Sequence, residues 1–401
     1  MKHCALLSLL LALGCVHVYG APVEPGALEQ GSCEDAQAKF TAELALTKIN
    51  QDREDGYILS LHRLSNVHMK THQETGVVFY LTMDVVETNC SVLSRKDWKT
   101  CEARRTENTP VYGQCKVTIY INRPHRVVRL YQYNCAIRPV PSARVHRLCP
   151  DCPGPIDTES PQVQKALTDS LEKFNKESKL NKRFALLKVA RATAGMAMSM
   201  YYNVEYSIQE TTCSKSAEAD NCPLMGCKLA HKGFCKASLW NSPTGESETS
   251  VDCEIFEPEA AGRETDHTHN DTATHNHDHD DAHAADDTQT QVQTKGHAQH
   301  DHHPEGMVRM LPSMDMPMTL PSFPDAPVAG PEVGVTLPLK PDPQIPGATE
   351  PIIGPTPTSI SAQCPPPAAG ETLVEKLFAE DPLFNITGSV PVSMLADNVS
   401  K

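Results

Sequence analysis

The chain has 401 residues and a formal net charge of −14 at pH 7. That acidity excludes a partner such as nucleic acid, which a basic surface would hold. No stretch reaches the ~18 apolar residues of a membrane span, and fifteen cysteines point to an oxidising compartment where disulfides persist.

Met1–Gly20 reads as a secretory leader: Lys2 is the positive start, Ala5–Leu13 the apolar run, and Val18-Tyr19-Gly20 precedes a cut at Ala21. A secreted, extracellular protein is expected, with Cys4 and Cys15 leaving with the leader. Thirteen cysteines remain, an odd count that leaves one free or paired outside the chain. Ala36–Ile49 then carries Ala36, Phe40, Leu44 and Ala45 at helical spacing, with Lys39, Glu43 and Lys48 off that face, and Gly56 ends it. Tyr57–Val67 alternates, and Gly76–Glu87 is rich in β-branched and aromatic residues, as a half-buried strand is. Lys116–Asn122 and Arg126–Tyr133 are two more strands, joined through Asn122-Arg123-Pro124-His125.

The same order returns further on. Gln162–Lys179 is a helix with Val163, Ala166, Leu167, Ser170, Leu171 and Phe174 on one face and Pro161 near its first turn. Strands Phe184–Arg191, Met200–Ile208, Phe234–Trp240 and Thr249–Phe256 follow. Glu87-Thr88-Asn89-Cys90 matches Glu210-Thr211-Thr212-Cys213, Gly113-Gln114-Cys115-Lys116 matches Gly233-Phe234-Cys235-Lys236, and Cys135 and Cys253 close each unit. Landmarks repeated in one order mark a tandem domain. The fold class is therefore α+β, two units each with a helix on an antiparallel sheet. The division is 1–20 leader, 21–148 first unit, 149–155 linker, 156–256 second unit and 257–401 tail. The tail is histidine-rich over Asp266–His303 and proline-rich over Pro312–Pro367, without the apolar periodicity of a core, and is expected to be extended or disordered.

Cys149-Pro150-Asp151-Cys152-Pro153 joins the units. Pro150, Pro153 and Pro155 forbid the helix that a redox Cys-x-x-Cys opens, and no second Cys-x-x-Cys completes a four-cysteine zinc site. A disulfide staple fits the compartment. Asp151 is then either a solvated turn residue in a stiff linker or a carboxylate held at the tip of a small ring. A catalytic zinc keeps one position open for water, and a carboxylate delivered there displaces the nucleophile.

These landmarks resemble the fetuins, within the cystatin superfamily, from Cys33 to about Phe256, with Cys364 as an outlying match. The pentapeptide is similar to that of the fetuin-B branch. The histidine tract is instead reminiscent of histidine-rich glycoprotein and kininogen. The resemblance implies two tandem cystatin-like domains in a monomer that inhibits astacin-type zinc metalloproteinases. Asp151 would ligate the target's zinc, Cys149 and Cys152 would hold it, and Pro150 and Pro153 would shape the ring. Egg-coat or hatching proteases are the family's suggested targets. The family's disulfides would be Cys33–Cys364, Cys90–Cys101, Cys115–Cys135, Cys149–Cys152, Cys213–Cys222 and Cys235–Cys253, leaving Cys227 odd, although spacing alone also allows Cys227 to pair with Cys213. A bridge from Cys33 to Cys364 would be worth roughly 4–5 kcal/mol in the loop-entropy model.

Other features bear on function. The Gln-x-Val-x-Gly hairpin by which cystatins block papain-like proteases is absent from both units, near His68–Gly76 and near Ala194–Ser199. Gly195, Met196, Ala197, Met198, Ser199 and Met200 either fill an enzyme cleft, as the adaptable methionines would allow, or pack on the second helix. His267, His269, His275, His277, His279, His283, His302 and His303 suit weak zinc or copper binding through imidazole nitrogens; no cofactor is required. The alternative function is a metal- or mineral-binding plasma carrier, although Asp84 and Glu87, the candidate mineral ligands, fall on opposite sides of a regular strand. Sequons stand at Asn89, Asn270, Asn385 and Asn398. With no phosphate loop or nucleophile motif, the chain is not expected to be an enzyme.

Overall fold

The computed structural model describes residues 27–73, 75–216, 222–227, 229–242, 247–258, 304–312 and 340–364. The leader, the tail histidines and Asn270, Asn385 and Asn398 lie outside the described residues. The first unit contains β1 (Leu28–Gln30), α1 (Ala36–Asp52), β2 (Tyr57–His72), β3 (Gly76–Ser91), β4 (Val111–Asn122) and β5 (Val127–Pro139). A short helix α2 (Ser142–Leu148) leads into the linker. The second unit contains β6 (Gly154–Pro155), α3 (Pro161–Glu177), β7 (Lys182–Met196), β8 (Met200–Ser214), β9 (Lys232–Asn241) and β10 (Ser247–Phe256). A last strand, β11, is Glu305–Met310.

Helices α1 and α3 each lie across one sheet because their apolar stripes match the inner face of the strands. In α1 that stripe is Ala38, Ala42, Ala45, Leu46 and Ile49, which pack on Phe79, Leu81, Met83 and Val117. This corrects the expected face: Phe40 is 57% exposed and Ala36 is also outside. The small alanines, at helical spacing, let the helix settle close to the sheet, and Phe40 is turned to the opposite side. Asp35 caps the helix, its carboxylate accepting from the Ala38 N–H at 2.8 Å. In α3 the expected face is the buried one, with Val163, Ala166, Leu167 and Ser170 inside, and the Ser170 hydroxyl meets the Tyr206 hydroxyl at 2.8 Å.

The sheet orders are β1-β2-β3-β4-β5-β11 and β10-β9-β8-β7-β6. All pairs are antiparallel except β11, which lies parallel to β5. Strands run further than the alternation suggests: β4 begins at Val111 and β7 continues to Met196. The disulfides are Cys33–Cys364, Cys90–Cys101, Cys115–Cys135, Cys149–Cys152, Cys213–Cys222 and Cys235–Cys253, and Cys227 is exposed and unpaired.

Two stretches of the tail are held against the first unit. Residues 304–312 supply β11, and residues 340–364 form a strap over the outer face of the first sheet. Ile345 fills a pocket of Val78, Tyr80, Tyr120 and Val127. Asp342, fully buried, pairs with Arg129 at 2.9 Å. Further along, the Gly354 N–H donates to the Tyr80 hydroxyl at 3.0 Å and the Ser361 hydroxyl to the Gly31 carbonyl at 2.6 Å, before Cys364 reaches Cys33. The strap binds through a few anchors and backbone groups, which no helix or strand period reveals.

Candidate functional site

The linker is clamped from both sides. Helix α2 ends at Cys149, whose N–H donates to the Val145 carbonyl at 2.9 Å, and the Cys152 N–H donates back to the Cys149 carbonyl at 3.1 Å. The disulfide closes this turn, with the two Cα atoms 5.2 Å apart. Cys152 is buried against Val86, Tyr112, Val140 and Val145, all of the first unit or the helix that follows it. Beyond Pro153, Gly154 and Pro155 pair with Ala194 and Thr193, and the Ile156 N–H donates to the Ala192 carbonyl at 3.1 Å. Gly154 and Pro155, placed in the linker on sequence grounds, are thus the edge strand of the second sheet.

Pro150 and Asp151 remain exposed at the tip. Among the described residues the Asp151 carboxylate has no hydrogen-bond partner; only its backbone carbonyl is engaged, accepting from the Tyr201 hydroxyl at 3.4 Å. Partial burial, and then the Asp151 charge, push the Tyr201 hydroxyl up from its ordinary range.

Tyr201 ties the tip to the β7–β8 hairpin. Its ring covers Gly195, its cross-strand neighbour, so closely that a Cβ there would lie 2.3 Å from the phenol oxygen and 2.4 Å from Cζ. The other face of the assembly is Trp240, stacked on Tyr201 with ring centroids 4.9 Å apart and planes 20° apart. The turn Ala197–Ser199 is held by one backbone bond, from the Ala197 N–H to the Ser199 carbonyl at 3.1 Å. Met196 is 63% exposed and Met198 is 94% exposed. Neither packs on α3; Met200 begins β8 and is half-buried. One edge of the molecule thus gathers an uncommitted carboxylate, two exposed thioethers and an aromatic stack. Tyr201 and Trp240 escaped the sequence reading, where each looked like an ordinary strand aromatic; their position at the ends of β8 and β9, beside turns, was the available signal.

The first unit offers no matching edge. Its β2–β3 turn lies under the strap: Thr349 accepts on its carbonyl from His72 Nε2 at 2.7 Å, and Gln73 donates to the Thr349 hydroxyl. Asp84 is fully buried, bonded to Arg63 Nε at 2.6 Å and to Gln114. Glu87 is equally buried, in the contact between the units. Neither carboxylate faces solvent. Asn89 is half-buried within β3, beside the bonded Cys90. Among the described residues no group of three or more histidine, cysteine or acidic side chains is placed to hold a metal, and no helix is long and apolar enough to cross a membrane.

A family model of the cystatin domain matches residues 26–123 and 152–243. Human fetuin-B is 40% identical over 258 residues, 64% of this chain and 66% of the relative, so the match spans just under two thirds of that protein. The structure of mouse fetuin-B in complex with crayfish astacin is similar at a TM-score of 0.57 and 30% identity, covering 88% of this chain and 98% of that one. The inhibitory complex of human meprin beta with mouse fetuin-B gives a TM-score of 0.54 and 34% identity over 73% of this chain and 80% of the other. Two cystatin units joined by a stapled linker, with this likeness across both, place the chain in the fetuin family of cystatin-domain proteins.

Proposed function

We propose that this chain is a secreted inhibitor of astacin-type zinc metalloproteinases and that Asp151 supplies a carboxylate to the target's catalytic zinc. The observation that carries this reading is the exposed Asp151 carboxylate, unpartnered among the described residues, at the tip of a clamped ring. A zinc hydrolase needs its open position for water; a carboxylate held there removes the nucleophile. Because the ring is closed and bonded to both units, little is left to order on binding, which favours affinity. The exposed methionines stand beside the tip and suit an irregular cleft wall. Mouse fetuin-B is found with crayfish astacin and, in an inhibitory complex, with human meprin beta. Six disulfides fit export to an oxidising compartment.

The test is Asp151→Ala assayed against an astacin-type enzyme. The inhibition constant should rise by about 100-fold or more, equivalent to ~2.7 kcal/mol, with the fold unchanged. Wild-type potency in this variant would sink the zinc-ligand role. Weak zinc or copper binding by the histidine tract is a separate proposed property. Deleting residues 266–303 should abolish metal uptake and leave inhibition intact; lost inhibition would mean that the tract had merely stripped zinc from the enzyme.

A further inference from the structure

The contact between the two units is built from charge. Glu87 of β3 and Arg104, from the segment before β4, belong to the first unit; Arg191 of β7 and Glu205 of β8 belong to the second. Arg104 Nε lies 3.0 Å from Glu87 and its terminal nitrogen 2.7 Å from Glu205. Arg191 bonds Glu87 with one terminal nitrogen and donates with the other to the Thr109 carbonyl at 2.9 Å. All four side chains are largely or wholly withdrawn from solvent: Arg104 is 1% exposed, Glu87 2%, Arg191 10% and Glu205 16%. Tyr57 completes the contact. Its hydroxyl bonds Glu205, its ring lies 4.0 Å beneath the Arg104 guanidinium, and Phe234 meets it edge-on at 5.3 Å.

A buried cluster of two acids and two bases adds little net stability, because desolvation offsets the attraction. What it does demand is one geometry, since any slippage strands a charge away from water. Its place in the chain makes that geometry consequential. Consecutive residues of β3 serve two purposes: Val86 lines the pocket holding Cys152, and Glu87 grips Arg191. On β7, Arg191 immediately precedes Ala192, Thr193 and Ala194, which bond the linker, and the same strand runs on to the exposed Met196. The cluster therefore lies between the two clamps on Asp151.

We propose that Glu87, Arg104, Arg191 and Glu205 are positioning residues for the inhibitory edge, fixing one angle between the units so that Asp151 and the Met196–Met200 hairpin reach a target together. This rests on the inhibitory reading above. With the cluster neutralised, the units sample several angles. Only the competent fraction then binds productively, and apparent affinity falls with that fraction.

The experiment pairs Arg191→Gln with Glu205→Gln, which removes one charge of each sign and leaves Glu87 and Arg104 matched. Glu87→Gln with Arg104→Gln carries the same test should the first pair fail to fold. Spin labels on the exposed Cys227 and on Lys39→Cys in α1 report the distance between units in the unbound, full-length protein. Rates against an astacin-type metalloproteinase report the consequence. We expect a broadened distance distribution, association slowed about tenfold and dissociation changed less than about twofold, with Arg191→Lys closer to wild type. A distribution as narrow as wild type overturns the proposal, and so does a broadened one with unchanged association. If the wild-type protein inhibits no metalloproteinase, the inhibitory reading falls, and the distance distribution alone decides whether the cluster fixes the units.

Discussion

Carboxylates in this protein are sorted by what surrounds them. Asp151 has its charge in solvent, whereas Asp84 faces Arg63 and Gln114 and Glu205 lies under two guanidinium groups. Burial alone would push the Glu205 carboxyl up; the Arg104 charge and hydrogen bond, with Arg191 and Tyr57, outweigh it and hold the group below the ordinary range. The unfolded chain therefore takes up this proton at higher pH than the folded one. Glu205 contributes stability that is fully present above the ordinary carboxylate value of about 4.3 and is lost as pH falls through the depressed native value. Asp342 behaves likewise, burial again opposing and the Arg129 bond prevailing. Thermal unfolding should hold its midpoint from neutrality to mild acid, then fall below about pH 4. Glu205→Gln should lower the neutral midpoint and flatten that acid limb; an unaltered limb would mean that Glu205 carries no linked proton.

At the scale of elements, the hairpin is a small machine for holding a face open. Gly195 is needed because the Tyr201 ring occupies the space of its side chain, an aromatic covering a glycine across the strand pair. Gly195→Ala should lift that ring, break the stack on Trp240 and change Trp240 emission, while inhibition weakens several-fold. Retained stacking would show that the hairpin tip has slack. The elements themselves were legible to different degrees. Helix α3 announced its face because its stripe is made of large residues, Val163, Leu167 and Phe174. Helix α1 misled because Phe40, its one aromatic side chain, is exposed while alanines face the sheet beside Leu46 and Ile49. The staple was legible in Cys149 and Cys152, but its clamps were not. One is the packing of Cys152 on Val86, Tyr112, Val140 and Val145; the other is the backbone pairing of Gly154, Pro155 and Ile156 with a strand some forty residues on, and such long-range contacts leave no local trace in composition.

Across the whole molecule, both cystatin units could be read from repeated cysteine landmarks, yet the asymmetry between them could not. The strap comes from a proline-rich region, and its anchors are single residues: Asp342 for Arg129, Ile345 for the pocket of Tyr80 and Tyr120. Ile345→Ala should cost about 2–3 kcal/mol in chemical denaturation of the full-length protein; a negligible loss would show that the strap rests on its disulfide alone. The strap also sets the two units apart, for it touches the end of β2 in the first unit through His72 and leaves the second unit's hairpin bare. Finally, the bond from Cys33 to Cys364 spans 331 positions and makes the protein a covalent macrocycle enclosing both units. A single backbone cut anywhere within that circle opens it into two polypeptides without parting them. Such a nicked form would run as one species until a reductant is added, and would keep Asp151 and the Met196–Met200 hairpin in place wherever the cut spares the two units.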